Sequence, residues 1–172
     1  MADELVDVVD ENDNVIGQEW KSKCHKEGIL HRIAAIFIFN DKGELLLQRR
    51  SLKKSSGSGL LDFSASGHIA AGEDNKRGAI KELNEELGIN VKIKRMSIEF
   101  PIEYHHEKNG LKIQHKLFLF VGYHNGPFNI QEDEIDSVAF YDLEIIEKMI
   151  SDSPNKFTEG FKLGFKSYIE RK

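Results

Sequence analysis

Three glutamates spaced for one face of a helix are the residues of this sequence with the clearest chemical use. Glu82, Glu85 and Glu86 stand at i, i+3 and i+4, so a helix would place their carboxylates on one side of a single turn. Like charges at these spacings repel by about 0.2–0.5 kcal/mol per pair, and a solvated acidic surface is one interpretation. The other is a pocket for a hard divalent cation, because Mg²⁺ binds oxygen ligands and bridges a few carboxylates to substrate phosphates.

The three glutamates belong to a longer pattern that favours the pocket. The pattern is G-x5-E-x7-R-E-U-x-E-E-x-G-U, in which U is a bulky aliphatic residue. Residues 67–89 fill eight of its nine defined positions, and Lys81 stands where the pattern has arginine. The chain therefore resembles the Nudix family, whose box this pattern is.

The resemblance implies an α/β fold, a Nudix-type α/β/α sandwich with a mixed β-sheet. It also implies that Mg²⁺, or Mn²⁺ in its place, is held by Glu82, Glu85 and Glu86 with help from the carbonyl of Gly67. By the same resemblance Glu73 pairs with position 81 and orients the helix. Lysine offers one mobile charge where arginine offers a rigid fork, so we expect the Glu73–Lys81 pair in a weaker form.

The chemistry that such a site serves is hydrolysis of a diphosphate bond. Bound cations neutralise the phosphate oxygens and lower the pKa of a water molecule, and a carboxylate then removes its proton. The family does not use one fixed carboxylate as this base. Glu86 and Glu85 in the box are candidates, and so are Glu132 and Glu134 in a polar stretch that could equally be a solvated loop.

Several residues outside the box could contact a phosphorylated substrate. A basic run contains Arg49, Arg50 and Lys54 beside a Gly/Ser-rich loop, and it could clamp phosphates or simply form a solvated face. His68 and Tyr104 are further candidates for contact with the substrate. The substrate expected is a small-molecule diphosphate, either a nucleoside diphosphate derivative or a nucleotide.

Similarity over about residues 5–145 extends to the isopentenyl-diphosphate isomerase branch of the family. That isomerase needs a cysteine just before the first box glycine, where this chain has Ser66, and serine is a much weaker acid. Alignment places the isomerase's two later glutamates on Gln114 and Lys116. These differences disfavour the isomerase. A non-catalytic diphosphate-binding module is the remaining alternative.

Three histidines could be counterparts of the isomerase's metal ligands. They are His25, His31 and His68. Without the carboxylates, they are either ordinary polar or substrate-contacting residues near the cleft or a second metal site, and the sequence leaves both interpretations open.

Periodicity and turn signals predict the elements that must position these residues. Extended segments are expected at 5–9, 15–20, 33–39, 44–49, 60–64, 91–100, 102–106, 111–123 and 138–141. Helices are expected at 75–87, 143–150 and 156–169, and residues 21–30 are interpreted as a polar connection. Phe157, Phe161 and Phe165 repeat every four residues, which indicates a core or dimer face.

Composition fits one Nudix domain over residues 1–172. The net charge is −5, which argues against nucleic acid as the main partner, and no apolar run is long enough for a membrane span. The chain has one cysteine, Cys24, and no visible secretory signal, so a reducing cytoplasm is expected. The resemblance also allows a homodimer.

Overall fold

A single mixed sheet forms the centre of the protein. The computed structural model describes the backbone of residues 3–106 and 111–172, and the side chains of these ranges apart from 97–106 and 111. The strands are β1 (Leu5–Val9), β2 (Val15–Trp20), β3 (His31–Phe39), β4 (Leu45–Arg50), β5 (Leu61–Asp62), β6 (Ala65–His68), β7 (Ile93–His106), β8 (Leu111–Tyr123) and β9 (Ile135–Tyr141). The helices are α1 (Lys21–Glu27), α2 (Asn75–Leu87), α3 (Leu143–Asp152) and α4 (Glu159–Ile169), with a 3₁₀ turn at Pro154–Lys156.

Strand β3 is the hub of this sheet. It pairs antiparallel with β1, β4 and β6, and parallel with β8 along its whole length. Strand β7 lies antiparallel on β8, and β9 lies antiparallel on β4. The coexistence of parallel and antiparallel pairs confirms the predicted mixed sheet.

The two faces of β3 carry two hydrophobic cores, because successive side chains of a strand point to opposite sides. Ala34, Ile36 and Ile38 pack in the same core as the apolar face of α2. Ala35, Phe37 and Phe39 share the other core with three aromatic residues from the C-terminal segment: Phe157, Phe161 and Phe165. Helices therefore cover both faces, which confirms the α/β/α sandwich and the core position of these phenylalanines.

Helix α2 begins and ends where the sequence predicts. The Asp74 carboxylate accepts hydrogen bonds from the backbone N–H groups of Lys76 and Arg77 (3.0 and 3.2 Å), so it caps the first turn. Gly88 ends the helix in the left-handed conformation (φ 66°). The box helix is thus specified by residues close to it in sequence.

Other predicted elements were wrong in extent or type. Residues 21–30 contain helix α1, which periodicity missed because Cys24 is its only buried residue. One strand, β7 (Ile93–His106), replaces the two extended segments predicted at 91–100 and 102–106. Trp20, a large aromatic residue at the end of β2, is 51% exposed. Within the described ranges, no helix is long and apolar enough to cross a membrane.

Candidate functional site

Gly67 and Glu82 are in close contact, where strand β6 passes helix α2. A Cβ atom at position 67 would collide with the Glu82 carboxylate. Any side chain at position 67 would therefore require the Glu82 carboxylate to move away from the β6 backbone. We call Gly67, Glu82, Glu85 and Glu86 the acidic site.

Glu86 is the buried member of the acidic site, with 6% of its surface exposed. One carboxylate oxygen accepts hydrogen bonds from Gln48 Nε2 and from the Ser66 backbone N–H, both 3.2 Å long. Burial and the neighbouring Glu82 raise the pKa of Glu86 to about 8. Burial and the charge of Glu85 raise the pKa of Glu82 to about 7, whereas Glu85 itself is exposed.

The donor set of the acidic site fits a hard divalent cation. Its donors are carboxylate oxygens together with the backbone carbonyl of Gly67, and Mg²⁺ and Mn²⁺ favour oxygen ligands. Burial first and neighbouring carboxylates second raise the pKa values of Glu82 and Glu86, and a bound cation would favour the charged forms of both groups. The residues present therefore fit the metal that the sequence resemblance implies.

Lys81 has a different partner from the one expected. Its Nζ lies 3.9 Å from a Glu4 carboxylate oxygen at the start of β1, and among the described side chains no Glu73–Lys81 ion pair is formed. The Lys81 side chain is 43% exposed. A flexible lysine can follow whichever carboxylate is nearest, whereas an arginine fork would favour a fixed, two-point contact.

The basic run at the end of β4 is bound to protein groups. Arg50 pairs with Asp62 (3.0 Å), and Arg49 donates to the Gly59 carbonyl (3.0 Å). Lys54 forms an ion pair with Glu134, one of the candidate bases. The role of these residues as phosphate contacts therefore stays a prediction. The side chain of Tyr104 lies outside the described residues.

Four histidines from four elements meet on the opposite face of the sheet from α2. We call them the histidine cluster: His25 of α1, His31 of β3, His68 of β6 and His115 of β8. One ring nitrogen from each lies within 4.8 Å of the others. The Nε2 atom of His25 is 3.1 Å from that of His68 and 3.4 Å from that of His115.

Burial keeps this cluster neutral. It lowers the pKa of His25 to about 4, lowers that of His31, and lowers those of His68 and His115 well below the usual range, with mutual repulsion adding to the effect in all but His31. His68 directly follows Gly67, so strand β6 contributes to the acidic site and to the histidine cluster at adjacent positions.

Gln114 and Lys116, the positions on which the alignment places the isomerase's two later glutamates, do not face the histidine cluster. His115 pairs with His31 and Lys116 pairs with Arg32 in the parallel β3–β8 ladder, so the 114 and 116 side chains point away from the cluster. The positions that share its face are Ile113 and His115. No carboxylate stands at either of them.

Two residues of these sites were not identified from the sequence. Gln48 follows the buried run Leu45–Leu47 and is itself only 2% exposed. A polar residue within an apolar strand is the sequence signal that could have identified Gln48 as a site residue. His115 lies two and four residues before the buried Leu117 and Leu119, and alternate residues of a strand face the same side of the sheet. Strand alternation therefore predicts that the His115 side chain points into the protein.

Comparison with known proteins agrees with this fold and box. The NUDIX domain family model matches residues 29–161. An isopentenyl-diphosphate Delta-isomerase of Serratia proteamaculans is 33% identical over 160 residues, covering 92% of this chain and 88% of the isomerase. An uncharacterised Nudix hydrolase of Yersinia pestis is 33% identical over 139 residues, covering 80% and 72%.

Structural similarity points the same way. A crystal structure from Deinococcus radiodurans superposes with a TM-score of 0.71 at 21% identity, covering 87% of this chain and 90% of that one. This chain belongs to the Nudix family.

Proposed function

We propose that this protein hydrolyses a diphosphate bond in a nucleoside diphosphate derivative or a nucleotide, with Mg²⁺ as cofactor and Mn²⁺ as a substitute. The observation that carries the proposal is the geometry of the acidic site. Gly67 leaves space for the Glu82 carboxylate, and Gln48 and the Ser66 N–H donate hydrogen bonds to Glu86. Such a site is costly unless a cation compensates its charge.

The residues of the acidic site have separate tasks in this proposal. Glu82, Glu85 and Glu86 hold the cation together with the Gly67 carbonyl. A bound Mg²⁺ would neutralise phosphate oxygens and lower the pKa of the attacking water. Gln48 and the Ser66 N–H orient Glu86, and the proposed phosphate contacts Arg49, Arg50 and Lys54 face the negative substrate.

The reaction forms one bond to phosphorus and breaks another. The water oxygen bonds to phosphorus, the bridging P–O bond breaks, and the bridging oxygen leaves with the phosphorylated product. The proton of water passes to a carboxylate. Glu86 is the first candidate for this base and Glu85 the second. Glu134 is a weaker candidate because Lys54 already holds its carboxylate.

Phosphate-bond cleavage in a substrate panel tests the proposal. The panel contains nucleotide sugars, ADP-ribose, dinucleoside polyphosphates and nucleoside triphosphates, each with and without Mg²⁺. We expect Mg²⁺-dependent cleavage that falls at least ~100-fold in Glu86→Gln and in Glu85→Gln. Glu147→Gln, which changes an exposed glutamate of α3, is the matched control and keeps wild-type rates. Wild-type rates in both box variants would reject the mechanism.

An isopentenyl-diphosphate isomerase is the second candidate, and the names of the relatives favour it. Its chemistry needs an acid and base at carbon, but Ser66 stands at the cysteine position. The inward positions of β8 beside the cluster are Ile113 and His115, neither of which is a carboxylate. Exchange of solvent deuterium into an isoprenoid diphosphate, without phosphate release, would establish the isomerase in place of the hydrolase.

A further inference from the structure

The segment that joins strand β6 to helix α2 is held by strand β1. We call residues 69–74 of this segment the box turn. The Ala71 backbone N–H donates a hydrogen bond to the Leu5 carbonyl (2.9 Å). The next residue, Gly72, donates its backbone N–H to the Asp7 carboxylate (2.9 Å). Strand β1 therefore holds the box turn first by its backbone and then by a side chain.

Asp7 is a buried charge in a strand that is otherwise apolar. Residues 5–9 read Leu-Val-Asp-Val-Val, and Asp7 is only 6% exposed. One carboxylate oxygen accepts a hydrogen bond from Gln18 Nε2 (3.1 Å). The other accepts from Gly72 and lies 3.8 Å from Arg32 Nη1. Burying a carboxylate is costly unless donors surround it, and here β2, β3 and the box turn supply them.

Arg32 holds both the box turn and the carboxylate that anchors it. Its Nε donates to the Asp13 carboxylate (2.7 Å) and its Nη2 to the Asp13 carbonyl (2.8 Å), so its side chain is fixed beside Asp7. Its own carbonyl accepts from the Ile69 N–H (3.2 Å) at the start of the box turn. The Asp7 carboxylate is thus oriented by the fold itself and needs no ligand.

The box turn sets the spacing between the two halves of the acidic site. It follows β6, which carries Gly67, and it leads into α2, which carries Glu82. Helix α2 packs closely on it, because a Cβ at Gly78 would lie 3.3 Å from the Ile69 side chain. A shift of the box turn therefore changes the position of the Gly67 carbonyl relative to the Glu82 carboxylate. Metal ligands depend on such supporting contacts for their orientation.

We propose that Asp7 is a positioning residue for the acidic site. By holding the Gly72 N–H, its carboxylate fixes the box turn, and the box turn fixes the separation between the Gly67 carbonyl and the carboxylates of α2. This role rests on the proposed function and acts through the backbone, since Asp7 itself contacts neither the metal nor the substrate. The bond to Gly72 depends on a side chain, so a substitution at position 7 removes it.

Asp7→Val removes the carboxylate and keeps a β-branched residue of similar size. We expect kcat for Mg²⁺-dependent cleavage to fall roughly 10- to 100-fold with KM nearly unchanged, because the ligands of the acidic site are displaced while the substrate contacts remain. Mn²⁺ affinity, measured by the EPR signal of the free ion, should weaken in parallel. Asp7→Asn should restore most of kcat, since its amide oxygen can still accept from Gly72 while Gln18 turns its own amide to accept from the new NH₂ group.

Asp10→Ala is the matched control. The Asp10 carboxylate also accepts from two backbone N–H groups, those of Asn12 and Asn14 (2.9 Å each), but these lie in the turn between β1 and β2. Asp10→Ala should lower the melting temperature and keep the wild-type kcat and Mn²⁺ affinity. An equal fall of kcat in Asp7→Val and Asp10→Ala would assign the loss to general destabilisation and overturn the proposal. Wild-type kcat in Asp7→Val, or no recovery in Asp7→Asn, would also overturn it.

Amide hydrogen exchange of the wild-type chain tests the anchor without any variant. The Gly72 N–H should exchange more slowly than the same residue in an unstructured peptide, and Asp7→Val should remove this protection. Exchange at the unstructured rate in the wild type would reject the role of Asp7. A wild type that protects Gly72 but cleaves no diphosphate of the panel would instead reject the proposed function, so the two failures are distinguishable.

Discussion

The absence of a side chain at Gly67 determines the geometry of the acidic site. The backbone of β6 approaches Glu82 so closely that even a methyl group at position 67 would overlap the carboxylate. The box glycine therefore lets the Glu82 carboxylate keep its position against β6, in addition to the metal-binding role proposed for its carbonyl. Close approach of this kind is a property of the packed pair β6 and α2, although a single residue permits it.

Gly67→Ala should damage the site while leaving the fold in place. The added methyl must displace the Glu82 carboxylate, and a displacement near 1 Å of a positioning group can cost roughly 100-fold in rate. Mg²⁺-dependent turnover of the substrate found in the panel is the measurement, with circular dichroism to check folding. Gly17→Ala is the control, because a Cβ at that exposed position meets nothing within 4 Å. Equal rates in the two variants would contradict this account.

Gln48 is expected to act through Glu86. Gln48→Met keeps the approximate volume of the side chain and removes the hydrogen bond to the carboxylate. A hydrogen bond to a charged group contributes about 1.5–3 kcal/mol, so we expect turnover to fall roughly 10- to 100-fold. The apparent Mg²⁺ affinity should weaken in parallel, and a loss of turnover with unchanged Mg²⁺ dependence would argue that Gln48 does not position a metal ligand.

At the scale of elements, helix α2 depends on its N-terminal cap. Asp74→Ala removes two hydrogen bonds to backbone N–H groups and should lower the free energy of unfolding by about 0.5–2 kcal/mol. Asp142, at the N-cap of α3, makes no side-chain cap hydrogen bond, so Asp142→Ala is a matched control with a change within about 0.5 kcal/mol. Urea denaturation measures both, and an equal loss in the two variants would show that capping is not the cause.

The elements also show what a sequence can and cannot specify. Helix α2 was predicted to the residue because its cap, apolar face and terminal glycine are all local signals. Helix α1 was missed because seven residues with one buried side chain carry no periodicity. The grouping of Glu82, Glu85 and Glu86 follows from one helical turn, whereas His115 reaches His31 only through the β3–β8 register, which a non-local pairing sets.

At the scale of the whole molecule, two sets of buried groups oppose each other in the pH dependence of stability. The raised pKa values of Glu82 (about 7) and Glu86 (about 8) mean that the folded, metal-free chain keeps protons that the unfolded chain releases. The lowered pKa values of the four histidines mean that below about pH 6.5 the unfolded chain takes up protons that the folded chain does not. Hence the two glutamates lower the free energy of unfolding as pH rises toward 8. The histidines raise the free energy of unfolding as pH rises, and their contribution is complete above about pH 6.5.

Between about pH 7 and 8.5 the histidine contribution is complete, and the glutamates dominate. We predict that the free energy of unfolding of the metal-free protein decreases with pH in this window, with a slope of up to about 1.4 kcal/mol per pH unit for each proton released. Urea denaturation in the presence of a chelator measures the slope, and Glu86→Gln should flatten it because the amide does not titrate. Mg²⁺ should stabilise the wild type more at pH 8.5 than at pH 7, since deprotonated carboxylates bind it. A slope that is equally steep in Glu86→Gln would mean that another group controls the titration and that Glu86 is already charged at neutral pH.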